Sequence, residues 1–285
     1  MHSFNTPIKK IDNIYIKLEY KNPAGSIKDR VAAYMLFDAY KKGYKEVVEA
    51  TSGNTGIGLA YYGKYFGIKS TIFMPSSYSI ERQKLLKLYG ANLILVDGDM
   101  SEALNQAKEY AKKNNLYFTN QFDNPMNEIA HIQTTAPEIL AQVGKFDYFV
   151  AGIGSGGTIM GIAKRLKPYG VKIIAVESKY STPIYNKLYN KQNKITSHKI
   201  QGIGAGFIPN NIDLKYIDDV ILVDDEEVIE FSKQFPALGV TGGISSAANF
   251  IASRELKGRV VTIAPDSIEK YLSFLEIWIS LFKGF

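Results

Sequence analysis

The chain has 285 residues, of which 46% are hydrophobic, a length that suits one large domain or two smaller ones. It has no cysteine, which excludes disulfides, thiolate metal sites and cysteine nucleophiles, and its histidines, His2, His131 and His198, show no metal spacing. The formal charge of +6 is spread along the chain, as expected for a solvated surface or for attraction of anionic small molecules rather than for nucleic acid.

Met1–Asp12 lacks the apolar core of a secretory signal. In chain order, strands are expected at Ile14–Leu18, Glu46–Ala50, Ser70–Met74, Leu93–Val96, Tyr148–Ala151, Lys172–Val176, Val220–Val223 and Val260–Ile263. Helices are expected to start near Ser26, Asn54, Ser79, Ser101, Asn124, Thr158, Asp225, Ser245 and Ile268. This alternation predicts βαβ units and mostly parallel sheets. The units are too many for one small sheet, so two α/β domains are expected. The Asn120–Pro125 loop is the candidate crossing point. It leads to a smaller, mobile domain over 22–124 and a larger one over 1–21 plus 125–285. Tyr180–Asn211 reads as irregular. No apolar run reaches the length of a membrane span. Tyr271–Phe285 comes closest but is broken by Glu276 and Lys283, so a terminal helix on the core or at a subunit interface is expected, and the cytoplasm as compartment.

Three turns carry chemistry. The first is Asn22-Pro23-Ala24-Gly25-Ser26-Ile27-Lys28-Asp29-Arg30. Ser26 and Asp29 have capping-box spacing, which puts Lys28 in a first helical turn where the helix dipole disfavours a cation. A lysine made neutral there is a nucleophile able to form a Schiff base, although a solvated surface lysine fits the same position. The second is Thr51-Ser52-Gly53-Asn54-Thr55-Gly56, between a strand and a helix. Its hydroxyls, amide and backbone N–H groups suit a carboxylate or phosphate, and simple capping by Ser52 or Asn54 is the alternative. The third is Gly152-Ile153-Gly154-Ser155-Gly156-Gly157-Thr158, again between strand and helix. With Glu177 at the end of the next strand it also matches a dinucleotide fingerprint, so an NAD-dependent oxidoreductase competes. That reading gives no role to Lys28 or to Thr51–Thr55, and the hydroxyls of Ser155 and Thr158 suit a terminal phosphate better. After the last strand, Ala264-Pro265-Asp266-Ser267 lies where parallel strands line a ligand crevice, with Ser267 also readable as a plain cap.

Taken together, the segments NPAGSIKDR (22–30), TSGNTG (51–56), NQF (120–122), GIGSGGT (152–158), GIGAGF (202–207), GGISSA (242–247) and PDS (265–267) resemble the cysteine synthase and cystathionine β-synthase group of pyridoxal-phosphate enzymes, over nearly the whole chain. The resemblance implies fold type II, with two three-layer, tryptophan-synthase-β-like α/β domains. It implies pyridoxal 5′-phosphate held by Lys28 as a Schiff base, with Lys28 later the base at Cα. Gly154, Ser155, Gly156, Gly157 and Thr158 would cradle the 5′-phosphate, Asn54 would bond the 3′-oxygen, and Ser267 would face the pyridine nitrogen. Thr51, Ser52, Thr55 and Gln121 would grip the substrate carboxylate. The implied reaction is β-substitution on O-acetylserine by sulfide, through an aminoacrylate, to make cysteine; no metal and a homodimer are implied. GIGAGF lacks an arginine expected beside phosphoserine, so O-phosphoserine as donor ranks second, as does homocysteine as acceptor. Ala247 stands where the group commonly has glycine. A non-catalytic relative would be free to lose the lysine and both turns, and this chain keeps them.

Overall fold

The computed structural model describes residues 4–273 other than Ser52 and Tyr78. Its strands are β1 (Ile8–Ile11), β2 (Ile14–Leu18), β3 (Glu46–Ala50), β4 (Lys69–Pro75), β5 (Asn92–Val96), β6 (Tyr117–Phe118), β7 (Tyr148–Gly152), β8 (Lys172–Ser178), β9 (Asp219–Val223) and β10 (Val260–Ala264). Its helices are α1 (Lys28–Lys41), α2 (Asn54–Phe66), α3 (Ile80–Leu88), α4 (Met100–Lys113), α5 (Pro125–Ala130), α6 (Ala136–Val143), α7 (Gly157–Leu166), α8 (Pro183–Tyr189), α9 (Asp225–Gln234) and α10 (Ile244–Arg254). All eight expected strands form, within one to two residues. The edge strand β1 and the two-residue β6 are additions, because neither is long enough to show a period. Helix α8 is an addition inside the stretch read as irregular, and α6 continues the helix expected from Asn124 beyond a π-helical turn. The helix expected from Ile268 is a 3-10 turn, Ile268–Tyr271, and the rest of that expectation lies outside the described residues. Among the described residues no helix is long and apolar enough to cross a membrane.

The chain forms two compact units, residues 26–121 with 268–273, and 4–25 with 122–267. The first holds a parallel sheet in the order β5-β4-β3-β6. Ala103, Ala107 and Ala111 recur every fourth residue on α4, so that helix lays a stripe of small side chains against Val48, Ala50, Phe73 and Val96. Burial of each of the larger apolar side chains stabilises by roughly 1.5–3 kcal/mol. The segment 268–273, which the sequence boundaries grouped with the larger domain, packs on this unit instead. Ser273 donates through N–H and hydroxyl to Glu81, and the Arg82 guanidinium lies 4.9 Å from the Tyr271 ring centroid.

The second unit holds a sheet in the order β1-β2-β10-β7-β8-β9, parallel except for the β1–β2 hairpin. In each sheet the chain winds to one side and then jumps back past its starting strand. In the first unit the jump separates β3 from β6; in the second it separates β7 from β10. A parallel sheet leaves a crevice outside the strand ends at such a reversal, so two loci are marked before any side chain is considered.

Candidate active site

In the first unit, the reversal point carries Thr51–Thr55 after β3 and Thr119–Gln121 after β6. Thr51 N–H continues the ladder to the Phe73 carbonyl at 3.1 Å, and its Oγ1 accepts the Gly53 N–H at 3.2 Å. The Thr55 hydroxyl donates to Gln121 Oε1 at 2.7 Å, and both residues are buried. Asn54 opens α2, and its Oδ1 accepts from Lys270 Nζ at 2.9 Å. That bond orients the carboxamide so that its NH2 remains the donor face. Ser52 lies outside the described residues.

Lys28 is the first residue of α1. Its N–H donates to Ser26 Oγ at 3.2 Å, Ser26 N–H donates to Asp29 Oδ1 at 3.1 Å, and Asp29 N–H goes to the Ser26 carbonyl at 3.2 Å, so the acidic half of the expected capping box forms while the serine hydroxyl takes the Lys28 N–H instead. Helix α2 comes close here: a Cβ at Gly58 would stand 3.1 Å from the Lys28 carbonyl oxygen. Lys28 keeps some exposed surface, yet its amine lies among enough protein atoms that desolvation lowers its pKa to about 8, opposed by the charge of Glu49. The sequence reading ascribed this lowering to the helix dipole; burial is the leading cause. Glu49 is fully buried near the end of β3, and desolvation raises its carboxyl to about 7 against hydrogen bonds that favour the anion.

These shifts make stability pH-dependent. The ordinary lysine value is 10.5 and the folded one about 8, so between them the unfolded chain holds the extra proton and stability rises with pH. For Glu49 the window runs from 4.5 to about 7, the folded chain holds the proton, and stability falls as pH rises. Together they depress stability most between about 7 and 8. In the cofactor-free chain, the urea midpoint is expected to rise from pH 8 to pH 10, and the rise is expected to shrink in Lys28→Met. An equal rise in both proteins would assign it to another group.

In the second unit, the reversal point carries the turn after β7 and the residues after β10. Asn249 of α10 ties the two strand ends together, accepting from Gly152 N–H at 2.7 Å and donating to the Ile263 carbonyl at 2.9 Å. Gly156 caps α7 at φ +86°, a backbone that favours glycine. A Cβ at Gly154 would stand 2.6 Å from the Gly202 carbonyl oxygen, and one at Gly157 would overlap the Asn127 carboxamide. The buried Ser155 Oγ accepts from Asn127 Nδ2 at 2.8 Å. Thr158 Oγ1 lies 3.2 Å from His131 Nε2, on a π-helical turn (His131–Thr135) joining α5 to α6. Ser267 is buried and pairs through its backbone with Gly242. The turn after β7 thus brings backbone N–H groups and the hydroxyls of Ser155 and Thr158 to a helix N-terminus, a set suited to a phosphate.

The first unit thus holds Lys28, Thr51, Asn54, Thr55 and Gln121, and the second holds Gly154–Thr158 and Ser267. Glu177, the acid of the dinucleotide reading, does not fit that role. Its carboxylate accepts the N–H groups of Ile184 and Tyr185 at 3.0 and 2.9 Å and caps α8. Sequence reasoning missed Glu49, Asn127, His131 and Lys270. For Glu49 a signal existed, a second acid in a strand otherwise Val-Val-Ala. For the others nothing local distinguishes them.

The chain's residues 1–266 match the family described as pyridoxal-phosphate dependent enzyme. It is 42% identical to the cysteine synthase of Buchnera aphidicola subsp. Schizaphis graminum over 98% of this chain and 95% of that protein. Among solved structures it is similar to a cysteine synthase from Entamoeba histolytica (36% identity, TM-score 0.84, 96% of this chain and 86% of that one). It is equally similar to an O-acetylserine dependent cystathionine β-synthase from Helicobacter pylori (34% identity, TM-score 0.84, 96% and 97% covered).

Proposed function

Because the chain belongs to the pyridoxal-phosphate dependent enzymes, we propose that it makes cysteine, replacing the acetoxy group of O-acetylserine by sulfide and releasing acetate. The observation that carries this reading is Lys28, whose amine burial brings to about 8, close to where a neutral nucleophile is available. The residues fit the cofactor: the turn after β7 excludes side chains at Gly154 and Gly157, and it stands at the N-terminus of α7 with the hydroxyls of Ser155 and Thr158, a set whose chemistry suits a phosphate. When bound, pyridoxal 5′-phosphate supplies the electron sink that lets Cα lose a proton and Cβ lose acetate.

The chain's own groups do the rest. Gly154, Ser155, Gly156, Gly157 and Thr158 of the second unit would hold the phosphate. The Asn54 carboxamide, oriented by Lys270, offers its NH2 to the 3′-oxygen. Ser267 would offer the ring nitrogen a hydroxyl, and a hydroxyl, unlike a carboxylate, would not hold that nitrogen protonated. This favours loss of a β-substituent over transamination. Thr51, Ser52, Thr55 and Gln121 of the first unit bind the substrate carboxylate, with Thr55 and Gln121 already locked together. Lys28 would anchor the cofactor, and its amine would take the proton from the substrate's Cα and return it at the end.

The purified protein is expected to be yellow. Its absorbance should shift on adding O-acetylserine and return on adding sulfide as cysteine appears. A colourless protein, or one that releases no cysteine, sinks the reading. O-phosphoserine and homocysteine, offered in place of donor and acceptor, are expected to be poorer substrates.

A further inference from the structure

Glu49 is a fully buried carboxyl to which the reaction described above assigns no task. It sits at the C-terminal end of β3, where the first unit's sheet reverses. Its Oε2 accepts the Thr119 hydroxyl at 2.6 Å and the Gln121 backbone N–H at 3.1 Å. Gln121 in turn accepts the Thr55 hydroxyl through its side chain. One carboxylate oxygen therefore anchors the main chain of a residue whose side chain fixes a hydroxyl at the head of α2. Asn120, between the two donors, has φ +45°, so the backbone there turns sharply, and both flanking donors converge on Glu49.

We propose that Glu49 is a positioning residue that acts on both halves of the first unit's chemistry, holding Gln121 and Thr55 in register and setting the protonation of Lys28. The inference rests on the roles of Lys28 and Gln121 proposed above. The segment after β6 meets Glu49 through these contacts and brings neutral Thr119 and Gln121, the Ala50 N–H donates to Oε1 at 2.9 Å, and Lys28 at the start of α1 acts on the carboxylate through its charge. The charge of Lys28 acts on Glu49, and that of Glu49 on Lys28. Burial works against the charged form of each, so each ion is favoured when the other is present. As an anion Glu49 favours a protonated Lys28; neutral, it releases that hold. A buried carboxyl raised to about 7, acted on by the charge of an amine lowered to about 8, places both changes near neutral pH, where a base must be able to take and return a proton.

Two substitutions separate the two effects. Glu49→Gln removes the charge but keeps an oxygen that can accept from Thr119 and Gln121. Glu49→Ala removes both. The lysines of the cofactor-free chain are labelled at 13Cε and titrated by NMR, the Lys28 signal being the one lost in Lys28→Arg. In Glu49→Gln, the pKa of Lys28 is expected to fall by at least about one pH unit, the usual reach of a neighbouring opposite charge. In the holoenzyme, KM for O-acetylserine is expected to stay within about threefold in Glu49→Gln and to rise about tenfold or more in Glu49→Ala, the worth of a lost charge-assisted hydrogen bond. An unchanged Lys28 titration in Glu49→Gln overturns the proposal, whether or not Glu49→Ala folds. An unchanged KM in a folded Glu49→Ala overturns it as well. Should the wild-type enzyme make no cysteine, the proposed function fails, while the titration of the cofactor-free chain still decides whether Glu49 governs Lys28.

Discussion

Lys28→Ala is expected to lower cysteine formation by about 10³-fold or more, because it removes both the covalent anchor and the base at Cα. Borohydride treatment, which fixes cofactor to the wild-type chain, should leave none attached to the variant. The fold should survive. Lys28 is the first residue of α1, alanine is the best helix former, and the backbone caps from Ser26 and Asp29 do not need the lysine side chain. At neutral pH the variant also loses a cation held at a desolvation cost, although Glu49 is left buried without its counter-charge. A folded Lys28→Ala protein that keeps a tenth of the wild-type rate would falsify the assignment of Lys28.

The second large effect is expected at Gly157. In Gly157→Ala the new Cβ runs into the Asn127 carboxamide, which must swing away and give up its bond to Ser155. Overpacking of this kind costs about 1–3 kcal/mol. Because the disturbance falls on the phosphate turn, cofactor affinity should drop by about 10–100-fold, the equivalent of roughly 1.4–2.8 kcal/mol. Titration of the cofactor-free protein, followed by absorbance, reads this directly. Shortening the obstacle in the Gly157→Ala/Asn127→Ala double variant should recover part of the loss. If the double variant is as weak as the sum of the singles, the overlap with Asn127 is not the cause.

Much of the fold and of the candidate site is legible in the sequence for a local reason. Strand Glu46–Ala50 running into Thr51–Gly56, and strand Tyr148–Gly152 running into Gly154–Thr158, each announce themselves within about a dozen residues through periodicity and turn chemistry. The two turns could therefore be read in advance as anion cradles, as could the α/β class, whereas the roles of Lys28 and Asn54 came only with the family resemblance. The edge strand β1 and the two-residue β6 escaped because their existence depends on the neighbour they pair with. The cause of the lowered Lys28 pKa was also misjudged, since a helix dipole is a local property and burial is not.

The sequence by itself determined which residue types stand at the ends of the strands, and the resemblance those turns carry to pyridoxal-phosphate enzymes. Only the tertiary structure decided what each of them faces. Gln121 meets Thr55 across 66 residues of chain, Lys270 reaches Asn54 across 216, and the charge of the second acid of β3 acts on Lys28. The strand orders β5-β4-β3-β6 and β1-β2-β10-β7-β8-β9 bring these groups to the reversal points. No local propensity encodes such pairings. They follow from burial, which forces each polar group taken from water to find its hydrogen bond or counter-charge wherever the folded chain provides one.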